Sequence, residues 1–78
     1  MTFMRVTYSQ HARDRMLERA ITHQHVQQCL TAPAVTYQGP NSNIVYRAQV
    51  QGRMLKVVVA HDRDTNHAKH VVTAAWEE

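Results

Sequence analysis

Apolar positions recur along this chain with two different periods, one near 3.6 residues as far as Pro33 and one of two residues beyond it. In the first part, Ala12, Met16 and Ala20 fall at four-residue steps with Leu17 at their edge. At about 100° per residue they mark one stripe of a helix spanning 10–20. Ser9 stands where an N-cap should, its hydroxyl placed to accept a first-turn N–H. Ile21 and Thr22 interrupt the pattern and restart it. Thr22 is the next N-cap, and Ile21 before it can staple onto Val26. Val26, Cys29 and Leu30 then give a second helix its apolar face at i, i+3, i+4. Pro33 disfavours helix at the residue before it and ends that element. Ahead of both helices, residues 3–8 alternate Phe3, Arg5, Thr7 with Met4, Val6, Tyr8, as a short strand or an extended lead-in would.

After Pro33 the pattern alternates. Residues 34–38 read as a strand with Val35 and Tyr37 on one face, and Gly39-Pro40-Asn41-Ser42 is a dense turn signal. Residues 43–50 set Ile44, Tyr46, Ala48 and Val50 against Val45, Arg47 and Gln49, as in a half-buried strand. Gln51-Gly52 fits a two-residue hairpin with Gly52 at positive φ. Residues 53–60 continue with Leu55, Val57 and Val59 on one face and Met54, Lys56 and Val58 on the other. The polar segment 61–69 reads as a loop. Residues 70–76 make a closing strand with Val72, Ala74 and Trp76 on a shared face. Short links between strands favour an antiparallel meander. The fold class is therefore α+β: one domain over 1–78, with two N-terminal helices packed on one face of a four-stranded antiparallel sheet and 3–8 as a candidate extra strand. The helices should cover Ile44, Tyr46, Leu55, Val57, Val72 and Trp76. Arg47, Lys56 and Thr73 belong to the opposite, half-open face.

Composition narrows the function classes. Seventy-eight residues with 44% hydrophobic content give one core and no second lobe. So small a core leaves room for support from a second chain, a homo-oligomer included. A formal net charge of +3 suits a nucleic acid or an acidic protein as partner and selects neither. The single cysteine, Cys29, rules out an internal disulfide and fits a reducing compartment, so the expected location is the cytoplasm. No apolar run nears the roughly 20 residues of a membrane span, and no signal-peptide h-region is present. No membrane partner is expected. With two glycines in the chain, a phosphate-cradling glycine loop is excluded.

The most specific chemistry lies along the first helix. His11, Arg15 and Arg19 recur at four-residue steps and form a basic, titratable row beside the apolar stripe. An imidazole near neutral pKa can move a proton, and guanidinium groups can hold a phosphate and offset its developing charge. RNA cleavage without a metal needs that kit, because the 2′-hydroxyl supplies the nucleophile. The same row also suits a solvated helix face, with Arg15 paired to Glu18 and His11 as a near-cap residue. His61, Asp62, Asp64, His67 and His70 crowd the polar segment, but their spacing matches no standard zinc pattern. No metal or other cofactor is expected. His23 and His25 point about 200° apart on the second helix and are expected to be solvated. Cys29 reads as a buried, inert thiol, and Trp76 as a packing residue. Tyr37 and Tyr46 suit either base stacking or packing at the rim of the core.

The run SQHARDRMLERAIT, a second short helix ending near TAP, and the closing HVVTAAW together resemble a family of small bacterial proteins carrying a domain-of-unknown-function label. These begin with an H-A-x-x-R-M-x-x-R-x-I-[ST] helix and end in a V-[VI]-T-A strand. The match falls on His11, Ala12, Arg15, Met16, Arg19, Ile21 and Thr22, and on Val71 to Ala74. Ala20 replaces a glycine often found after the motif's second arginine. That family looks related to the RelE/ParE/BrnT-type toxins, which implies two N-terminal helices on a twisted antiparallel sheet. It also implies an endoribonuclease, acting free or on the ribosome and neutralised by a cognate antitoxin. Under this resemblance His11, Arg15 and Arg19 are the polar signature and Arg47 and Thr73 face the substrate. Together with the half-open sheet face that also bears Lys56, this makes His11, Arg15 and Thr73 the catalytic candidates and leaves Arg19, Arg47 and Lys56 to hold the RNA. Two rivals use the same residues: a non-catalytic module that binds an acidic partner protein, and an RNA-binding module that does not cleave.

Overall fold

A computed structural model describes residues 5–61, 64 and 68–77. The elements in order are β1 (Arg5–Tyr8), α1 (Gln10–Glu18), α2 (His23–Thr31), β2 (Val35–Gln38), a 3₁₀ turn at Pro40–Ser42, β3 (Ile44–Val50), β4 (Arg53–Val59) and β5 (Ala68–Glu77). The strands form one mixed sheet in the order β1-β5-β4-β3-β2. From β2 to β5 the pairing is the expected antiparallel meander. The expected four-stranded antiparallel sheet is corrected by β1, which makes a fifth strand parallel to β5, Tyr8 opposite Val71. Parallel neighbours need a crossover connection, and here the whole rest of the chain supplies it. The lead-in positions Phe3 and Met4 lie outside the described residues.

Both helix starts form where their capping residues stand. The Ser9 hydroxyl accepts from the Ala12 N–H at 3.0 Å. It also donates to the Val72 carbonyl at 3.0 Å, while the Ser9 N–H continues the β1–β5 ladder to the Val71 carbonyl. One side chain thus caps α1 and ties it to β5. Thr22 caps α2 in a reciprocal box. Its hydroxyl accepts from the His25 N–H at 3.2 Å, and its own N–H donates to His25 Nδ1 at 3.1 Å. That use of the imidazole corrects the expectation for His25, which is 9% exposed and packs edge-on against Trp76. His23 is exposed as expected and meets the Tyr8 ring.

α1 ends at Glu18, two residues before the apolar stripe runs out. The Ile21 N–H bonds back to the Met16 carbonyl (2.9 Å) and the Ala20 N–H to that of Leu17 (3.5 Å), closing a Schellman turn with Ala20 at φ 54°. Ala20 is therefore exposed rather than part of the helix stripe. Ile21, buried, serves both as the apolar partner of Met16 in this turn and as the staple residue of α2. The β3–β4 hairpin has both central residues at positive φ, Gln51 at 55° and Gly52 at 78°, the combination whose twist matches the flanking strands.

The core gathers Ala12 and Met16 of α1 and Val26, Cys29 and Leu30 of α2. These lie over Tyr46, Ala48, Val50, Leu55, Val57, Val59, Val71 and Ala74 of the sheet. In β5 the buried residue is Val71, not Val72. A bulge between Val58 and Val59 places Thr73 opposite Val58 but Val71 opposite Val59, so Val72 is the extra residue. Alternation read back from Ala74 therefore fails one step early. Val45 is buried outside the main core, beneath the turn at Gly39, where a Cβ would come 2.7 Å from Val45 Cγ2. That close approach is what requires glycine there.

Candidate functional site

The two layers divide the six candidate residues. His11, Arg15 and Arg19 belong to the helix layer, and Arg47, Lys56 and Thr73 to the uncovered face of the sheet. On the helix, His11 is exposed. Arg15 donates through Nη1 to both carboxylate oxygens of Glu18, at 2.7 and 3.0 Å. Arg19 turns inward and donates to the Ala74 carbonyl at 2.8 Å, while the Arg19 carbonyl accepts from Trp76 Nε1 at 2.7 Å. These exchanges tie the end of α1 to β5, which gives Arg19 a structural role that helix spacing could not show. Arg53 completes the surroundings of Trp76, its guanidinium carbon 4.6 Å from the ring centre.

On the open face, strand pairing does bring residues together. Arg47 sits opposite Lys56, Lys56 opposite Ala75, and Val58 opposite Thr73. Lys56 and Thr73 are thus diagonal neighbours, roughly 7–8 Å apart by paired-strand geometry. Arg47 reaches across β4 and donates from Nε to Glu77 at 2.6 Å. Lys56 has no acid partner among the described residues. Val35 and Tyr37 of β2 lie at the margin of this face, 49% and 43% exposed.

His70 shares this face. It lies in β5, as the strand expected over 70–76 requires, opposite Thr7, with Nδ1 2.9 Å from the Thr7 hydroxyl. Its partner's neighbours Val6 and Tyr8 pack on the core, so Thr7 and His70 face away from it. A hydroxyl on one ring nitrogen fixes the ring and leaves Nε2 for another contact. The available signal was the alternation from His70 through Ala74, obscured by the bulge at Val72. The other acidic and histidine residues of the polar segment do not gather with it. His61 is exposed, Asp64 is bound elsewhere, and Asp62 and His67 lie outside the described residues. Among the described residues no group of three His, Cys, Asp or Glu side chains is placed to hold a metal ion.

Asp64 accepts a 2.6 Å bond from the Tyr46 hydroxyl and pairs with Lys69, whose ammonium also donates to Tyr46 at 3.1 Å. Burial pushes the Tyr46 phenol above its ordinary pKa, and the Asp64 bond adds to this against the pull of Lys69. For Lys69, burial favours the neutral amine, but the bonds to Asp64 and Tyr46 outweigh it and its pKa rises. This cluster locks Tyr46 on the core side and leaves that ring unavailable for stacking on a base. Cys29, fully buried, points its thiol at the Tyr46 carbonyl at 3.3 Å. Burial raises it to about 11, against a smaller opposing pull from a backbone bond to Val57, so it is not a nucleophile near neutral pH.

A shallow apolar groove lies on the helix side, lined by Tyr8, Met16, Leu17 and Ile21 with Arg13, Thr22 and His23 at its rim. Leu17 within it is 84% exposed. No helix of the described residues is long and apolar enough to cross a membrane.

The family model described as Domain of unknown function (DUF4258) matches residues 8–76. The chain belongs to that family. The DUF4258 match runs from the last residue of β1 to Trp76, so it takes in both helices, the meander and every candidate residue above. No curated protein and no solved structure matches the chain.

Proposed function

We propose that this DUF4258 domain is a toxin-like, metal-independent endoribonuclease of the RelE/BrnT kind, held in check by an antitoxin, and that it receives RNA on the open sheet face. The observation that carries this reading is the gathering of Lys56, Arg47, Thr73 and His70 on one uncovered face. The chemistry is an in-line displacement. The ribose 2′-oxygen attacks phosphorus as a base takes its proton, the bond to the 5′-oxygen breaks, and an acid returns a proton to that leaving oxygen. The products are a 2′,3′-cyclic phosphate and a 5′-hydroxyl. Lys56 and Arg47 offset the charge that builds on the phosphoryl oxygens, and Thr73 hydrogen-bonds one of them. An imidazole serves as the proton carrier. His70 is the candidate on that face; His11, on the helix layer, is the candidate only for RNA bound along α1 instead.

The experiment is an RNA cleavage assay, with and without EDTA, on wild type, His11→Ala, His70→Ala and Lys56→Ala, each confirmed folded by circular dichroism. The histidine that carries the proton should lower the rate by about two to four powers of ten when removed, and EDTA should change nothing. Binding should weaken with salt, and Lys56→Ala should reduce that slope by about one contact. Full activity in both histidine variants would overturn the acid–base assignment.

A second reading, a non-catalytic module that binds an acidic protein segment, draws on the groove beside α1. Its apolar floor has a rim of Arg13 and His23 and no acid among its lining residues. Cations already engaged at Arg15, Arg19 and Arg47 also suit a module that does no chemistry. Wild type that is folded, shows no cleavage of free or ribosome-bound RNA, and binds an acidic amphipathic peptide in a Leu17-dependent way would favour this reading.

A further inference from the structure

We propose that two copies of this chain join edge to edge through β2, antiparallel, into one continuous sheet. The inference is independent of the reaction above. β2 is the outermost strand of the sheet and all four of its residues are exposed. An unpaired strand edge is a template for another strand, and natural proteins guard such edges with charges, prolines or bulges. The segment Val35-Thr36-Tyr37-Gln38 has no charge and no proline, and its Val, Thr and Tyr all favour strands. Among the described residues it carries two of the three large hydrophobic residues that stand exposed, Val35 and Tyr37. The opposite edge is less open: β1 carries Arg5, and α1 is tied in directly after it through Ser9.

The hydrogen-bond phase decides the register. The Gly39 N–H reaches the Asn43 carbonyl at 2.6 Å, so the odd-numbered residues 35, 37 and 39 point their backbone groups toward β3. Thr36 and Gln38 then present theirs outward. A two-fold axis at Tyr37 pairs Thr36 of each copy with Gln38 of the other and satisfies all the outward groups of both. It sets Tyr37 against Tyr37 as a close, non-hydrogen-bonded pair on the open face, with each Val35 opposite the other copy's Gly39. A segment without charge meets its own copy with no like-charge repulsion, which is why the occupant is a second copy. The interface is isologous and closes at two chains.

The test is the mass of the full chain in solution, by light scattering or sedimentation across a wide concentration range. Wild type should shift from monomer to dimer as concentration rises. Thr36→Pro removes an outward donor without touching the β2–β3 ladder, so it should stay folded and weaken dimerisation by on the order of tenfold or more. Tyr37→Lys should do the same through charge. Tyr37→Cys should oxidise to a covalent dimer, because Cα atoms in such a pair lie about 4.5 Å apart. Val35→Cys should not, facing Gly39. Wild type that stays monomeric throughout, a folded Thr36→Pro that dimerises as well as wild type, or equal cross-linking at both cysteine positions would each overturn the proposal.

Discussion

Ala20 shows how much one backbone torsion decides. At φ 54° it occupies the left-handed region, where a Cβ costs roughly 1–2 kcal/mol, and it does so because the Schellman turn between α1 and α2 needs that geometry. Glycine would relieve the strain but gain freedom in the unfolded chain, which returns about 0.4–1 kcal/mol of the benefit. Ala20→Gly should therefore stabilise the protein by about 0.5–1 kcal/mol. For a domain of this size that raises Tm by about 2–8 °C, which a thermal melt will register. A lowered Tm would mean that the turn is held differently. Sequence showed that the helix breaks at Ile21-Thr22. It did not show that Ala20 leaves the stripe, because periodicity counts side chains and is blind to the sign of φ. The same blindness hid His25, whose ring looks like a solvated polar group until its Nδ1 is needed by the Thr22 N–H.

Among the elements, α1 depends on a single hydroxyl at its start. Ser9 accepts from Ala12 and donates to Val72, so Ser9→Ala removes both a cap and a tie between the helix and β5. The cap alone is worth about 1 kcal/mol and a net hydrogen bond about 0.5–1.5 kcal/mol. The expected loss is about 1–3 kcal/mol, read from the urea midpoint, with Ser9→Thr restoring most of it. A loss no larger than the cap's own contribution of about 1 kcal/mol would show that the tie to β5 contributes nothing. The cap was legible from position and residue type, since both bonds of a cap are local in sequence. The tie was not, because Val72 is 63 residues away and its carbonyl is aimed by the parallel pairing of β1 with β5. β5 shows the same limit: alternation identified the strand, but the bulge exchanged Val72 for Val71 in the core.

For the molecule as a whole, the shifted groups act in one direction. Cys29 rises from 9.0 to about 11, and Tyr8, Tyr46 and Lys69 rise as well. The folded chain thus holds its protons to higher pH than the unfolded chain, and stability falls as pH climbs. The loss should begin near pH 9 with Cys29 and continue above 10 as the tyrosines and Lys69 join. Between pH 9 and 11 the thiol alone should account for roughly 1–3 kcal/mol. Denaturant midpoints measured from pH 7 to 11 should drop accordingly, and Cys29→Ala should flatten the first part of the fall. A stability that stays level to pH 11 would show that Cys29 is not held protonated by its surroundings.

What the sequence determined by itself was local. Two helices with their caps, the meander of strands, the inward face of β3 and β4 and the uncovered side of Arg47, Lys56 and Thr73 all follow from periods of 3.6 and 2 and from turn chemistry. Those signals are carried by residues a few positions apart. Only the tertiary structure decided what joins residues far apart: β1 beside β5 in parallel, Arg19 turned to the Ala74 carbonyl, and His70 set against Thr7. Such pairings depend on the register of distant strands and on one extra residue in a strand. Neither leaves a periodic trace in the chain that contains it.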